Sequence, residues 1–224
     1  MSRTLVVDYG MGNLRSVAKA IERVSPDTHR IVVSDAPCEI ARADRVVFPG
    51  QGAARDCMVE LERRDLVEPL VRSARSKPFL GICMGLQVLM DHSNENAGVD
   101  LLGVVPGQVP SFAEHLTGQE GAGSAPMARL KIPHMGWNLV EPTVAHPLWS
   151  AAGARATWFY FVHSYFVVPA DSKWVSGITH YGIAFASAIA RDNLFAVQFH
   201  PEKSGAAGLA LLAAFTRWDG HASA

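Results

Sequence analysis

The segment at residues 78–87 constrains the fold of this chain more than any other. It reads Pro-Phe-Leu-Gly-Ile-Cys-Met-Gly-Leu-Gln, so an apolar run ends at Cys83 between two glycines, and apolar residues at helix-like spacing follow. This order is typical of a nucleophile elbow, in which a strand turns sharply into a helix and presents a nucleophile. Gly81 and Gly85 lack the Cβ atoms that would clash in a tight turn. The segment predicts a strand, a turn at Cys83 and a helix whose N-terminus favours a thiolate.

A base and a group to orient it occur near the end of the chain, at His200 and Glu202. In an extended segment residues i and i+2 face the same side, so these two side chains project together. Pro201 between them stiffens the backbone and suits a strand end. The structural alternative is that Cys83 is an ordinary core residue and His200 an ordinary hydrogen-bonded one. The paired glycines favour the other interpretation, a thiol enzyme.

The composition argues against several classes of protein. The 224 residues are 49% hydrophobic and 18% charged, with a formal net charge of −1 and no run of Lys or Arg. Nucleic acid or an anionic membrane is therefore not the expected partner. Cys38, Cys57 and Cys83 form no C-x-x-C motif, so we expect no disulfide framework, no metal and no cofactor. The first apolar stretch is too short for a signal peptide, and none reaches the ~20 residues of a membrane span, so we expect a cytoplasmic protein.

The first hundred residues alternate between strand-like and helix-like patterns. Strands are predicted at residues 4–8, 30–34, 45–48 and 79–82. Helical spacing begins at Leu14 and recurs within residues 53–62 and 66–75. A dinucleotide-binding turn after the first strand is rejected, because Arg15 stands where its third glycine would fall. The alternation predicts a doubly wound α/β fold, mostly parallel, with helices on both faces and the active site at the carboxyl ends of the strands.

The pattern changes in the second half of the chain. Residues 108–128 are rich in Gly, Ser, Pro and Ala and predict a loop. Short β segments follow, predicted as antiparallel hairpins added to the sheet, at residues 156–162, 165–168, 174–179, 184–190 and 194–199. An Ala- and Leu-rich helix is predicted at residues 204–218. No clean linker divides the chain, so residues 1–224 are expected to form one domain.

Three motifs, in order along the chain, resemble the class I (triad) glutamine amidotransferases. They are the turn Pro49-Gly50-Gln51-Gly52, the elbow at residues 81–87, and Gln198-Phe199-His200-Pro201-Glu202. The resemblance covers essentially the whole chain and implies a flavodoxin-like fold and release of ammonia from glutamine. By the same resemblance Cys83, His200 and Glu202 form the catalytic triad. Backbone N–H groups of Met84 and of the turn Gly50, Gln51 and Gly52 would stabilise the oxyanion, and Gln87, Ser164 and Tyr165 would contact glutamine.

Four further segments resemble one branch of that family, the glutaminase subunits of imidazole glycerol phosphate synthases. They lie at residues 8–14, 131–138, 160–165 and 200–204. The resemblance implies a separate (β/α)8-barrel cyclase as partner, in a one-to-one pair. The candidate interface residues are Met135, Trp137, Asn138 and Lys203. For Trp137, a place in the hydrophobic core is an equally weighted alternative.

Three other functions stay open on the sequence. The chain could serve a different amidotransferase, or act alone as a γ-glutamyl thiol hydrolase, which would need no partner. A regulatory subunit without activity is the third alternative, although Cys83, His200 and Glu202 are all intact. Glutamate release measured with and without a synthase partner separates these alternatives.

Overall fold

The computed structural model describes residues 2–116, 130–153 and 155–221. Its strands are β1 Ser2–Val7, β2 His29–Ser34, β3 Arg45–Gly50, β4 Phe79–Cys83, β5 His92–Ser93, β6 Val99–Asp100, β7 Gly107–Val109, β8 His134–Pro142, β9 Thr157–His163, β10 Val168–Pro169, β11 Val175–Tyr181, β12 Ile183–Arg191 and β13 Leu194–Val197. Its α-helices are α1 Leu14–Val24, α2 Pro37–Arg42, α3 Ala54–Arg63, α4 Val67–Ala74, α5 Met84–Gln87, α6 Phe112–Leu116, α7 Pro147–Ala152 and α8 Gly205–Arg217.

Nine of these strands form one mixed sheet in the order β2-β1-β3-β4-β13-β12-β11-β8-β9. The pairs from β2 to β13 are parallel, and those from β13 to β9 are antiparallel. The four short strands β10, β7, β5 and β6 form a second sheet. The parallel half therefore matches the prediction for the first hundred residues, and the antiparallel half is the predicted addition.

Helices cover both faces of the sheet and create two cores. On β1, Leu5 and Val7 pack with residues of α3 and α4, whereas Val6 packs on the opposite face with residues of α1 and α8. Successive side chains of a strand point to opposite faces, so a strand covered on both faces reads as an unbroken apolar run. The run in β1 is of this kind.

The parallel register brings several chain segments to one edge of the sheet. Gly50, the last residue of β3, pairs with Cys83, the last residue of β4. On the other side of β4, Val197 at the end of β13 pairs with Ile82. The segment that leads from β13 to His200 therefore begins beside the elbow. The carboxyl ends of parallel strands are where active sites form in this class of fold.

The structure confirms the predicted α/β architecture and corrects several of its elements. Helices α2 and α7 and strand β8 were not predicted, and of residues 165–168 only Val168 lies in a strand. The run at 194–199 was predicted as part of an antiparallel hairpin, but β13 also pairs in parallel with β4. Its four residues are all buried, and such a run suits an interior strand of the sheet.

The predicted loop at residues 108–128 is wrong for its first part. Strand β7 and helix α6 lie there, and Phe112 is fully buried with its ring centroid 4.7 Å from that of Phe166. Burial of this aromatic side chain orders a segment whose composition is otherwise that of a loop. Residues 117–128 of the predicted loop lie outside the described residues. Among the described helices, none is long and apolar enough to cross a membrane.

Candidate active site

Cys83 occupies a strained turn between β4 and α5. Its backbone has φ +55° and ψ −107°, a conformation that residues with a Cβ atom rarely adopt. Strain of this kind persists where the surrounding structure enforces it, and it is common at functional sites. The predicted helix is shorter than expected, because α5 spans only four residues. The turn itself therefore positions Cys83, with little contribution from a helix dipole.

The two glycines of the elbow are required by close packing. A Cβ atom at Gly85 would lie 1.8 Å from the carbonyl oxygen of Phe48, and one at Gly81 would lie 2.7 Å from the carbonyl oxygen of Gly85. Real Cβ atoms do not approach backbone so closely. Gly85 thus lets the elbow pack against β3, and Gly81 lets the turn close on itself, as the sequence predicts for a nucleophile turn.

His200 and Glu202 form a buried hydrogen-bonded pair. Nδ1 of His200 lies 2.9 Å from Oε1 of Glu202, with side chains that are only 2% and 1% exposed. Burial alone would lower the pKa of His200, but the negative charges of an ionised Cys83 and of Glu202 beside it raise the pKa above its ordinary range. Glu202 therefore stabilises the imidazolium that forms when His200 takes a proton from Cys83, and it orients the ring through Nδ1. Nε2 of His200 is buried without a hydrogen-bond partner among the described residues.

The sulfur of Cys83 makes two hydrogen bonds among the described residues. Its thiol donates to the carbonyl oxygen of Val162 at 3.9 Å, and it accepts from Nε2 of Gln198 at 3.6 Å. Gln198 belongs to the motif at residues 198–202, but the sequence analysis assigned it no role. The signal that could have found it is its position two residues before His200, on the same side of an extended segment.

The turn after β3 lies directly beside the nucleophile. Gln51 and Gly52 line the same cavity as Cys83 and Met84, and Gly52 has φ +94°, which only glycine adopts without strain. Gly50 does not line the cavity. A Cβ atom there would meet the hydroxyl of Tyr9 at 2.3 Å, so Gly50 packs against the core side of the turn.

A cavity of about 410 Å³ joins the elbow to the turn and to the end of β9. Nine predicted site residues line it, namely Gln51, Gly52, Cys83, Met84, Gln87, Ser164, Tyr165, His200 and Lys203. Four lining residues were not predicted: Glu95, Pro133, Val162 and His163. The volume lies within the range of small-molecule sites. Among the described residues, no group of three or more His, Cys, Asp or Glu could hold a metal ion.

A buried histidine pair borders this cavity. Nδ1 of His134 lies 2.9 Å from Nε2 of His163, whose Nδ1 lies 2.7 Å from the carbonyl oxygen of Tyr165. Burial lowers the pKa of His134 to about 4 and that of His163 to about 3. Both rings are therefore neutral near pH 7. Because the Tyr165 carbonyl can only accept, the His163 proton is on Nδ1 and His134 donates to its Nε2.

The predicted interface residues divide into two groups. Met135 and Trp137 are 61% and 53% exposed, which excludes the alternative of a core position for Trp137. The Trp137 ring lies 6.1 Å from that of Tyr160, and Nζ of Lys203 lies 6.0 Å from the Tyr160 ring, so an exposed surface runs toward the cavity. Asn138 instead donates to the carbonyl oxygen of His180 at 3.0 Å, and its side chain serves the fold.

Comparison with known proteins matches the sequence of this chain to one family. The family model described as glutamine amidotransferase class-I matches residues 5–217, nearly the whole chain. The chain belongs to the class I glutamine amidotransferases. The predicted family, fold class and enzyme class are thereby confirmed.

Two curated relatives of this amidotransferase carry the name "Imidazole glycerol phosphate synthase subunit HisH". The protein of Thiobacillus denitrificans is 55% identical over 98% of this chain and 93% of its own length. That of Nitrosococcus oceani is 53% identical over 98% of this chain and 99% of its own.

Solved structures show the same fold at low identity. A chain of PurLQS from Thermotoga maritima has a TM-score of 0.69 at 17% identity and covers 96% of this amidotransferase and 98% of that chain. The glutaminase domain of CTPS from Trypanosoma brucei, solved with bound acivicin, has a TM-score of 0.59 at 17% identity, covering 100% and 98%.

Proposed function

We propose that this amidotransferase is the glutaminase subunit of an imidazole glycerol phosphate synthase and acts in histidine biosynthesis as a single domain spanning residues 1–224. It hydrolyses glutamine to glutamate and ammonia, and a partner subunit consumes the ammonia. The observation that carries the proposal is the strained Cys83 in a cavity beside the buried His200–Glu202 pair. The relatives that exceed half identity support the specific synthase.

Cys83 acts as the nucleophile and His200 as the proton carrier. The thiol proton passes to Nε2 of His200, which has no other hydrogen-bond partner among the described residues. The sulfur then attacks the side-chain carbonyl carbon of glutamine, and the π electrons move to oxygen. Collapse breaks the C–N bond, and the imidazolium protonates the departing nitrogen as ammonia. Water, deprotonated by His200, cleaves the thioester and releases glutamate.

The oxyanion of this step needs hydrogen-bond donors that face the cavity. Met84 follows the nucleophile, and its backbone N–H is the first donor that we propose. The second comes from the turn at Gly50, Gln51 and Gly52, of which the last two line the cavity. One donor of this kind is worth about 3–4 kcal/mol in the transition state.

The remaining cavity residues hold the glutamine substrate. Gln87 uses its Nε2 to bond the carbonyl oxygen of Tyr165 at 3.2 Å and Oε1 of Gln198 at 3.1 Å, so its own oxygen is the atom left for a substrate amide N–H. Ser164 and Tyr165 contact the α-carboxylate and α-amino groups. The carboxylate of Glu95 at the cavity adds a partner for the α-ammonium.

The proposed partner is a (β/α)8-barrel cyclase in a one-to-one heterodimer. It would combine ammonia with an aminoimidazole-containing ribulosyl phosphate, giving imidazole glycerol phosphate and an aminoimidazole carboxamide ribotide. Met135, Trp137 and Lys203 form the exposed surface beside the cavity that we assign to this partner. Such a pair would lie in the cytoplasm, where a catalytic thiol stays reduced.

The test is glutamate release by the purified chain alone, with the cyclase, and with the cyclase and its ribulosyl phosphate ligand. We expect imidazole glycerol phosphate from glutamine only when both chains are present. Glutamine hydrolysis that needs a different synthase would reassign the chain within its family. Turnover of γ-glutamyl peptides without any partner would instead support a stand-alone hydrolase.

Replacing Glu202 by Gln tests the orienting group of the triad. The variant keeps the shape and one acceptor for Nδ1 of His200 but loses the charge that favours the imidazolium. We expect lower kcat for glutamine hydrolysis in the complex, yet roughly 10–10² times the rate of Cys83→Ala, because orienting residues are partly dispensable. Steady-state kinetics of both variants provide the measurement. Parental kcat in Glu202→Gln would remove this carboxylate from the mechanism.

A further inference from the structure

A chain of buried amides leads from the substrate side of the cavity to the nucleophile. The carbonyl oxygen of Tyr165 accepts from Nε2 of Gln87 at 3.2 Å, and the same Nε2 donates to Oε1 of Gln198 at 3.1 Å. Nε2 of Gln198 in turn donates to Sγ of Cys83 at 3.6 Å. Gln87 is 3% exposed and Gln198 is fully buried. Bulk water therefore does not replace these partners.

The carbonyl oxygen of Tyr165 determines the direction of every hydrogen bond in this row of amides. A backbone carbonyl can only accept, so Gln87 must turn its NH₂ group toward Tyr165. That NH₂ group has a second hydrogen, which Oε1 of Gln198 accepts. The NH₂ group of Gln198 then has no choice but to face the sulfur. The arrangement thus presents an N–H donor, and not a carbonyl oxygen, to Cys83.

The other close contact of the sulfur acts in the opposite sense. The Val162 carbonyl oxygen, 3.9 Å away, accepts the thiol proton but repels the sulfur once that proton has left. Gln198 supplies the one hydrogen bond that Sγ accepts among residues 2–116, 130–153 and 155–221. A donor to an ionised acceptor stabilises the charged form more than the neutral one.

We propose that Gln198 is a catalytic residue that holds Sγ of Cys83 and stabilises its thiolate, with Gln87 and the Tyr165 carbonyl orienting its amide. The inference rests on the proposed function, since it concerns the same nucleophile. It adds to the triad a group that donates a hydrogen bond to the sulfur, whereas His200 takes its proton. It also links the nucleophile to the strand end at Tyr165, where we place the substrate's polar groups.

The test is the pH dependence of Cys83 alkylation by iodoacetamide in Gln198→Met. Methionine has a similar length but no N–H donor. All variants also carry Cys38→Ser, which removes an exposed thiol. Mass spectrometry measures alkylation of the peptide that contains Cys83. We expect the midpoint of the pH profile to rise by about one unit and the rate below it to fall about tenfold. In the complex with the cyclase, kcat should fall about tenfold, with KM for glutamine within about twofold of the parent.

Two further variants test whether the effect comes from loss of the N–H donor to the sulfur. Thr216→Val removes the 2.8 Å hydrogen bond of a buried hydroxyl to the carbonyl oxygen of Ala213 within α8, and should leave the alkylation profile unchanged. Gln198→Glu keeps the acceptor for Gln87 but places a carboxylate oxygen beside the sulfur, so the midpoint should rise at least as far, even if Gln198→Met does not fold.

The outcomes separate the two proposals. A folded Gln198 variant with the parental pH profile would overturn the role of Gln198 and leave the glutaminase proposal standing. If, in the chain that keeps Cys38, Cys83 were no more reactive than Cys38 and not protected by glutamine, the assignment of Cys83 as nucleophile would be overturned.

Discussion

Replacing Cys83 by Ala is expected to abolish glutamine-dependent synthesis while leaving ammonia-dependent synthesis intact. The change removes one sulfur from a turn whose unusual backbone is enforced by the packing of Gly81 and Gly85, so the fold and partner binding should survive. Without a nucleophile, glutamine hydrolysis in the complex should fall by about 10⁴-fold or more. The measurement is product formation by the complex with glutamine or with an ammonium salt as nitrogen source.

Cys57→Ala is the matched control for this variant. Cys57 is also buried, but it lies in α3 within the hydrophobic core, so its loss should affect only packing. We expect both nitrogen sources to work in that variant. If Cys83→Ala also lost the ammonia-dependent reaction, Cys83 would be a structural residue of the complex and the elbow argument would fail.

The isolated chain is expected to be a poor glutaminase that becomes active when its partner is bound and loaded with ligand. Ammonia released before an acceptor is bound escapes into water. A glutaminase that stays inactive until its partner holds the acceptor therefore avoids wasting glutamine. Gly50 and Gly52 allow the peptide units of the turn to rotate. One orientation directs an N–H toward the oxyanion and the other directs a carbonyl oxygen there. Losing the donor slows the reaction by about 10²–10³, and a partner that binds the competent state restores it by population shift.

Gly52→Val tests whether this turn is the responsive element. The residue has φ +94°, and a Cβ atom would lie 2.6 Å from Cε of Met11, so a β-branched side chain restricts the turn. Activation by the liganded partner should be blunted, while KM for glutamine stays near the parental value. Gly220→Val is the control, because Gly220 also has φ +94° but lies beside Asn193 and Pro78, away from the cavity. Equal rates for the chain alone and the liganded complex would refute latency.

Local residue order made the parallel half of this fold and the elbow predictable. An apolar run between turn residues predicts a buried strand wherever it occurs, and glycines around Cys83 predict a tight turn without knowledge of its surroundings. Burial of Phe112 was not predictable in this way, because its pocket is built by Phe166, Phe185 and Tyr181 from distant parts of the chain. The composition of its segment favoured a loop, and long-range packing overrode it.

By itself, the sequence determined where the candidate nucleophile, its turn and its base lie along the chain, since the elbow, the turn at residues 49–52 and the pair His200 and Glu202 are local patterns. Only the tertiary structure decided what each of them contacts. The parallel register placed Gly50 beside Cys83, and packing turned Asn138 inward while leaving Trp137 exposed. Gln198 acquired its contact with sulfur through Gln87 and Tyr165, from two other chain segments. Spacing along the chain indicates only that Gln198 and His200 share a side of their segment, because hydrogen bonds between distant residues depend on three-dimensional geometry.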